Sequence, residues 1–201
     1  MSLLSPSIFW LRAAAIVWAT LLTASFACAA EAAKPTPSDS IYHLKMNLTD
    51  QNGNQFSLED RKGHPMLISM FYTSCQFVCP MLVDALKSTE AKLSNEERSR
   101  LNVLLVTFDP VHDSVEVLKK TADQHQIDGN RWSFARSDAK SVRKLAAMLG
   151  IQFKALPNGE FNHTTALILI DTNGRIAGRT TRLGDADASF VKLIKTTINE
   201  K

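Results

Sequence analysis

A chain of 201 residues, 45% hydrophobic and 21% charged, is long enough for one globular domain with a real core plus an extension. Its formal net charge of +3, with no Lys/Arg run able to track phosphates, excludes nucleic acid as a partner class. With only three cysteines, Cys28, Cys75 and Cys79, it has no second thiol pair for an ordinary zinc site.

Arg12 is the only charge in the first thirty residues. It precedes an apolar run, Ala13 to Phe26, and then the small residues Ala27-Cys28-Ala29-Ala30, which is the layout of a secretory signal with an Ala-x-Ala cleavage site. Residues 1–30 are therefore read as a signal peptide, with the mature chain starting near Ala30 or Glu31. An uncleaved membrane anchor is the rival, because Ile8 to Ala30 could nearly span a bilayer. Lipidation of Cys28 is disfavoured, since Ser25 and Phe26 are poor matches to a Leu-rich lipobox. Either way the domain is expected to be exported to the periplasm, where thiols meet oxidants and need a thiol reductant protein before they can bind metal.

Residues 31–40, rich in Ala, Pro, Ser and Thr, read as a linker to a domain over 41–201. Tyr42 to Thr49 and Gln55 to Leu58 alternate around the turn Asp50-Gln-Asn-Gly53, which predicts a β-hairpin covering a sheet edge. Leu67 to Tyr72, apolar except for Ser69, predicts a buried strand. After Cys75 and Cys79, Pro80 is placed as the first residue of a helix running to Leu93. Asn102 to Phe108 is a second apolar strand, and Ser114 caps a helix through Gln126. Trp132 to Ala135 is a short strand, and a helix runs from Asp138 to a Gly150 C-cap. Thr165 to Ile170 and Arg175 to Thr180 flank the turn Asp171-Thr-Asn-Gly174, and Asp185 opens a last helix to Asn199. The order β-α-β-α-β-α-β-β-α is that of an α/β, thioredoxin-like fold with an N-terminal β-hairpin extension.

Cys75 and Cys79 thus fall between a strand and a helix, where unpaired N–H groups and the positive dipole end favour the thiolate. Three residues separate them, whereas the thioredoxin redox motif has two. Two thiolates do not complete a zinc site, but two thiolates with one imidazole suit copper. A structural disulfide is the bland alternative. The strands ending near Cys75 and Asp109 are joined by a helix, so a right-handed crossover makes them parallel and their C-terminal ends share one edge. Ligands bind at such edges. If the Thr165 strand is antiparallel to them, the preceding residue His163 is brought to the thiols.

The other histidines have plainer readings: His43, His64 and His125 in turns or on solvated helix faces, and His112 in the Asp109-Pro-Val-His-Asp113 loop at the functional edge. Asp109 and Asp113 suit a turn and a helix start, with Asp109 also a candidate partner-contact residue or support for the site. Phe71, Tyr72 and Phe77 read as packing that dries the site. Methionines 46, 66, 70, 81 and 148 show no clustering of a copper-binding kind.

Phe71-Tyr-Thr-Ser-Cys75-Gln-Phe-Val-Cys79-Pro80, Thr107-Phe-Asp109-Pro-Val-His-Asp113-Ser114, and Gly159-Glu-Phe-Asn-His163-Thr with Leu169-Ile-Asp171-Thr-Asn-Gly174-Arg175 together resemble the Sco/SenC family, over roughly residues 44 to 198. The resemblance implies a thioredoxin fold and a copper chaperone for cytochrome c oxidase assembly. Its implied metal ligands are Cys75, Cys79 and His163, and its implied acceptor is the oxidase copper A subunit or another copper acceptor. The alternative function is a thiol:disulfide oxidoreductase with Cys75 and Cys79 redox-active. Two departures stand out: Gln76 where many members have proline, and Asn162 where many have aspartate.

Overall fold

The computed structural model describes residues 35–75 and 78–200. The signal or anchor reading of residues 1–30 lies outside them, and among the described residues no helix is long and apolar enough to cross a membrane. The described elements are β1 (Asn47–Asp50), β2 (Gln55–Ser57), β3 (Met66–Phe71), α1 (Val78–Glu90), α2 (Asn95–Ser99), β4 (Asn102–Thr107), α3 (Val115–Gln124), β5 (Trp132–Arg136), α4 (Ala139–Leu149), β6 (Phe153–Ala155), β7 (Phe161–His163), β8 (Leu167–Ile170), β9 (Ile176–Thr180) and α5 (Ala188–Asn199). Two short 3-10 turns, Ile41–His43 and Leu58–Arg61, complete the order.

Seven strands form one sheet in the order β2-β1-β5-β4-β3-β8-β9. All six residues of β3 are buried, as its apolar run requires at the centre of a sheet covered on both faces. Its single hydroxyl is satisfied, Ser69 Oγ donating to the Ala166 carbonyl at 2.7 Å. β3 runs parallel to β4, with Phe71 beside Thr107, and antiparallel to β8, with Ile68 beside Ile168. The end of β3, the end of β4 and the start of β8 therefore share one edge, as the crossover argument expects. The N-terminal hairpin extends the sheet beyond β5, where Thr49 pairs with Arg136.

Several boundaries differ from the sequence reading. Ile41 and Tyr42 are consecutive buried residues, which a half-buried strand cannot accommodate, and they form a 3-10 turn capped by Ser40. Ser40, placed at the end of the linker, is itself fully buried and donates to the Asn173 carbonyl at 2.7 Å. The helix expected after the cysteines begins at Val78 and so contains Cys79, with Pro80 its third residue. Proline is tolerated there because first-turn N–H groups have no intrahelical acceptor. The final helix is capped by Asp187, not Asp185. Its carboxylate accepts from the backbone N–H of Ser189 and Phe190 and from the Thr180 hydroxyl. α2 went unpredicted, although Ser94-x-x-Glu97 is a capping box. Also unpredicted is β6–β7, a separate two-stranded sheet in which Phe153 pairs with His163.

α1, which carries Cys79, is fixed at its far end. Glu90, 6% exposed, accepts from the Trp132 indole at 3.0 Å and pairs with Arg131 at 2.6 Å, joining the helix to β5. A buried carboxylate satisfied by two strong donors holds the helix in one register against the sheet.

Candidate metal centre

β3 ends at Phe71, and its continuation, Tyr72 to Cys75, turns back on itself, the Cys75 N–H donating to the Tyr72 carbonyl at 3.4 Å. The turn is held from β4's end by Asp113. That carboxylate is 1% exposed and accepts from the Thr73 N–H at 3.2 and 3.3 Å. It also takes short hydrogen bonds from the Thr73 and Thr107 hydroxyls. Burial pushes its carboxyl pKa up, and the carboxylate of Asp109 adds to this, against the opposing effect of the three donors. Asp109 is buried as well and holds the exposed ring of His112 at 2.8 Å.

Cys75 is half-buried and Cys79 is 6% exposed, and the two side chains are in hydrogen-bonding contact as thiols. Burial pushes the Cys79 thiol well above its ordinary range; a hydrogen bond from the Tyr72 backbone opposes this, while Cys75 and Asp113 reinforce it. The expected thiolate-favouring helix end is thus outweighed at Cys79 by desolvation. The thiols open on a cavity of about 130 Å³ walled by Phe71, Tyr72, Val83, Phe134 and the last turn of α3.

His163 closes β7 at the same sheet edge. Its ring packs on Phe108, with centroids 5.0 Å apart, and edge-on to Tyr72 at 5.9 Å. Its Nδ1 lies 3.3 Å from the Thr164 carbonyl and 3.2 Å from Thr165 Oγ1. Donation from Nδ1 to the carbonyl makes Nε2 the lone-pair nitrogen. Burial holds its pKa down, so the imidazole is neutral at neutral pH, the form that ligates metal.

The three sequence-predicted ligands therefore meet at one edge with Tyr72 between them. Tyr72, 4% exposed, contacts Cys75 through its side chain, receives the Phe161 N–H at 3.5 Å and packs on His163. They are not gathered into a closed cluster: among the described residues no three His, Cys, Asp or Glu side chains stand close enough together to hold a metal. The donor set itself, two thiols and a neutral imidazole beside an apolar wall, fits a soft ion such as copper.

His43 and His64 lie exposed on turns, as expected. His125 does not lie on a solvated face. It is half-buried at the end of α3 and lines the thiol cavity. A signal was available, since Leu118, Ala122 and His125 fall at helical spacing on the buried stripe. Sequence reasoning also undervalued Tyr72, read as packing, and Asp113, read as a helix-start residue.

A central sheet with Cys75 just after a strand and Cys79 in the first turn of the next described helix defines a thioredoxin-like protein with a thiol site. The SCO1/SenC family model matches residues 35–199, and the chain belongs to that family. Among curated relatives, the SCO1 protein homolog of Bacillus subtilis is 28% identical over 134 residues, covering 63% of this chain and 67% of the relative. The chain spans about two thirds of the length of the first curated relatives it matches. Solved structures share the fold. A SCO1/SenC family lipoprotein from Bacillus anthracis superposes with a TM-score of 0.68 at 23% identity, covering 77% of this chain and 94% of that one. Yeast Sco1 with copper bound gives a TM-score of 0.66 at 22% identity, covering 78% and 88%.

Proposed function

We propose that this protein is an exported copper chaperone that carries Cu(I) or Cu(II) as cargo on Cys75, Cys79 and His163 and supports assembly of a cytochrome c oxidase copper site. The observation that carries the reading is the placing of a thiol pair, half-buried Cys75 with buried Cys79, and a neutral imidazole along one sheet edge with Tyr72 between them. Family membership supports it, as does the copper bound to yeast Sco1. Cys75 and Cys79 supply the soft thiolates that dominate Cu(I) binding, and metal binding displaces the protons that burial otherwise keeps on Cys79. His163 then completes a three-coordinate site after a shift of the β6–β7 hairpin past the Tyr72 ring. The oxidase copper A subunit is the proposed acceptor, residues 1–30 direct or anchor the domain in the periplasm, and a thiol reductant keeps the pair reduced.

Copper stoichiometry of the reduced protein tests this. One copper per chain is expected, lost in Cys75→Ser or Cys79→Ser. A wild-type protein that retains no copper after desalting would exclude the chaperone role.

A second reading is favoured by the unequal exposure of the thiols. Half-exposed Cys75 in front of buried Cys79 is the arrangement of an attacking and a resolving thiol in disulfide exchange. The two readings separate at His163: copper carriage needs its nitrogen, thiol exchange does not. His163→Ala is expected to fail in oxidase assembly while keeping its thiol-exchange rate; full oxidase activity in that variant would favour the redox role.

A further inference from the structure

Beside the candidate metal centre lies a groove of about 420 Å³ that no part of the copper chemistry uses. Phe108, Phe153 and Phe161 wall it, Phe108 and Phe153 being stacked with centroids 5.0 Å apart. Its lip is Pro110-Val111, braced by Arg136 donating to the Pro110 carbonyl at 2.7 Å. Val111 is 82% exposed, a large apolar side chain presented to solvent by a fixed loop. The opposite rim is cationic: Arg143 of α4 and Lys154 of β6 are exposed, and neither has a carboxylate partner among the described residues. Lys140 and Lys144 extend this charge along α4, and the cap Asp138 is engaged by the helix's own N–H groups. Asp109, the one carboxylate lining the groove, is buried and paired with His112.

We infer that this groove is the docking surface for the copper acceptor, taking an apolar side chain of that protein flanked by carboxylates. The inference rests on the chaperone reading and gives it a place of contact. An aromatic-walled concavity receives one side chain, and an unpaired cationic rim selects an acidic surround and speeds encounter. Concavity also distinguishes it from a membrane-binding patch, which needs a protruding apolar face. Continuity with the site is direct, because Phe108 packs on both Phe153 in the groove and His163. A segment seated against Phe153 and Phe161 touches the same hairpin that carries His163, so docking and release of the third ligand share one moving part.

The test titrates the metal-free copper A domain of the organism's own oxidase into the isolated protein and follows affinity against salt. Binding is expected to weaken steeply as salt rises. The double variant Arg143→Glu/Lys154→Glu should lower affinity at least tenfold, Val111→Asp should lower it similarly, and Arg143→Lys/Lys154→Arg should restore it. Copper stoichiometry, measured on the same preparations, should be unchanged in all of them. Unaltered affinity in the double reversal, salt-independent binding, or no binding at all would overturn the inference. So would vesicles of phosphatidylglycerol and phosphatidylethanolamine that bind the wild type and not the double reversal, or self-association in ultracentrifugation that Val111→Asp abolishes. Absence of copper from the wild type instead breaks the chaperone reading, and does so independently of how the groove behaves.

Discussion

The two halves of the site are held by different forces. The Thr73–Cys75 turn is fixed by directional bonds: one buried carboxylate, Asp113, joins it to Thr107 at the end of β4. The His163 hairpin belongs to a separate two-stranded sheet and leans on the domain through aromatic contacts among Tyr72, Phe108, Phe153 and Phe161. Hydrogen bonds to a charged group contribute roughly 1.5–3 kcal/mol each and fix direction. Aromatic pairs contribute about 0.5–1.5 kcal/mol and tolerate sliding. The thiols are thus presented on a rigid seat and the imidazole on an adjustable one, which suits a carrier that must both hold and surrender its cargo.

Four measurements test that contrast. The largest effect is expected at the rigid half, where Cys79→Ser should reduce copper from one per chain to below about a tenth, as read by elemental analysis after desalting. Retention of stoichiometric copper would show that the thiol pair is not the primary seat. Next, Asp113→Ala removes the acceptor of three donors and should cost about 3 kcal/mol in denaturant unfolding, whereas Asp113→Asn, which can still accept from Thr73, should cost about 1 kcal/mol. Equal losses in the two would mean that the charge and not the strap is what matters.

At the adjustable half, His163→Ala should retain Cu(I) with affinity reduced about tenfold and lose the Cu(II) signal in electron paramagnetic resonance. A normal Cu(II) spectrum would place the third ligand elsewhere, and His125 in the thiol cavity is the residue to examine then. The smallest effect is expected far from both halves, at the α5 cap. Donors from Ser189 and Thr180 hold the Asp187 carboxyl down to about 2, below its unfolded range. Its contribution is therefore complete above about pH 4 and lost as pH falls from about 4 toward 2. Thermal melts across that window should fall less steeply for Asp187→Asn than for the wild type, and identical slopes would show that the cap does not titrate there.

What the sequence made legible follows the same division. β3, β4, β8 and the turn at Gly174 were readable because continuous apolar runs and positive-φ glycines are local signals. From them the parallel and antiparallel pairings followed, and with them the expectation that Cys75, Cys79 and His163 lie along one edge. Asp113 was not legible as a strap, because its donors sit at positions 73 and 107 and nothing local distinguishes it from a helix-start aspartate. The β6–β7 hairpin was missed for another reason: its strands are three residues each and exposed on one side, too short for alternation to register. His125 was misplaced because a polar residue completing an apolar stripe reads as the end of the stripe.

The latch at Ser40 pins the start of the domain to one end of the sheet. Ile41 donates to the Gly174 carbonyl at 2.9 Å, and a Cβ at Gly174 would overlap Ser40 and the Tyr42 ring, so the start of the domain is closed tightly onto the β8–β9 turn. Because β8 is antiparallel to β3, with Ile170 beside Met66, that turn stands at the opposite end of the strands from Cys75. Six residues of β3 set the two ends about 20 Å apart. The latched start of the domain and the thiols therefore stand at opposite ends of β3, and a disturbance at one reaches the other only along the length of that strand.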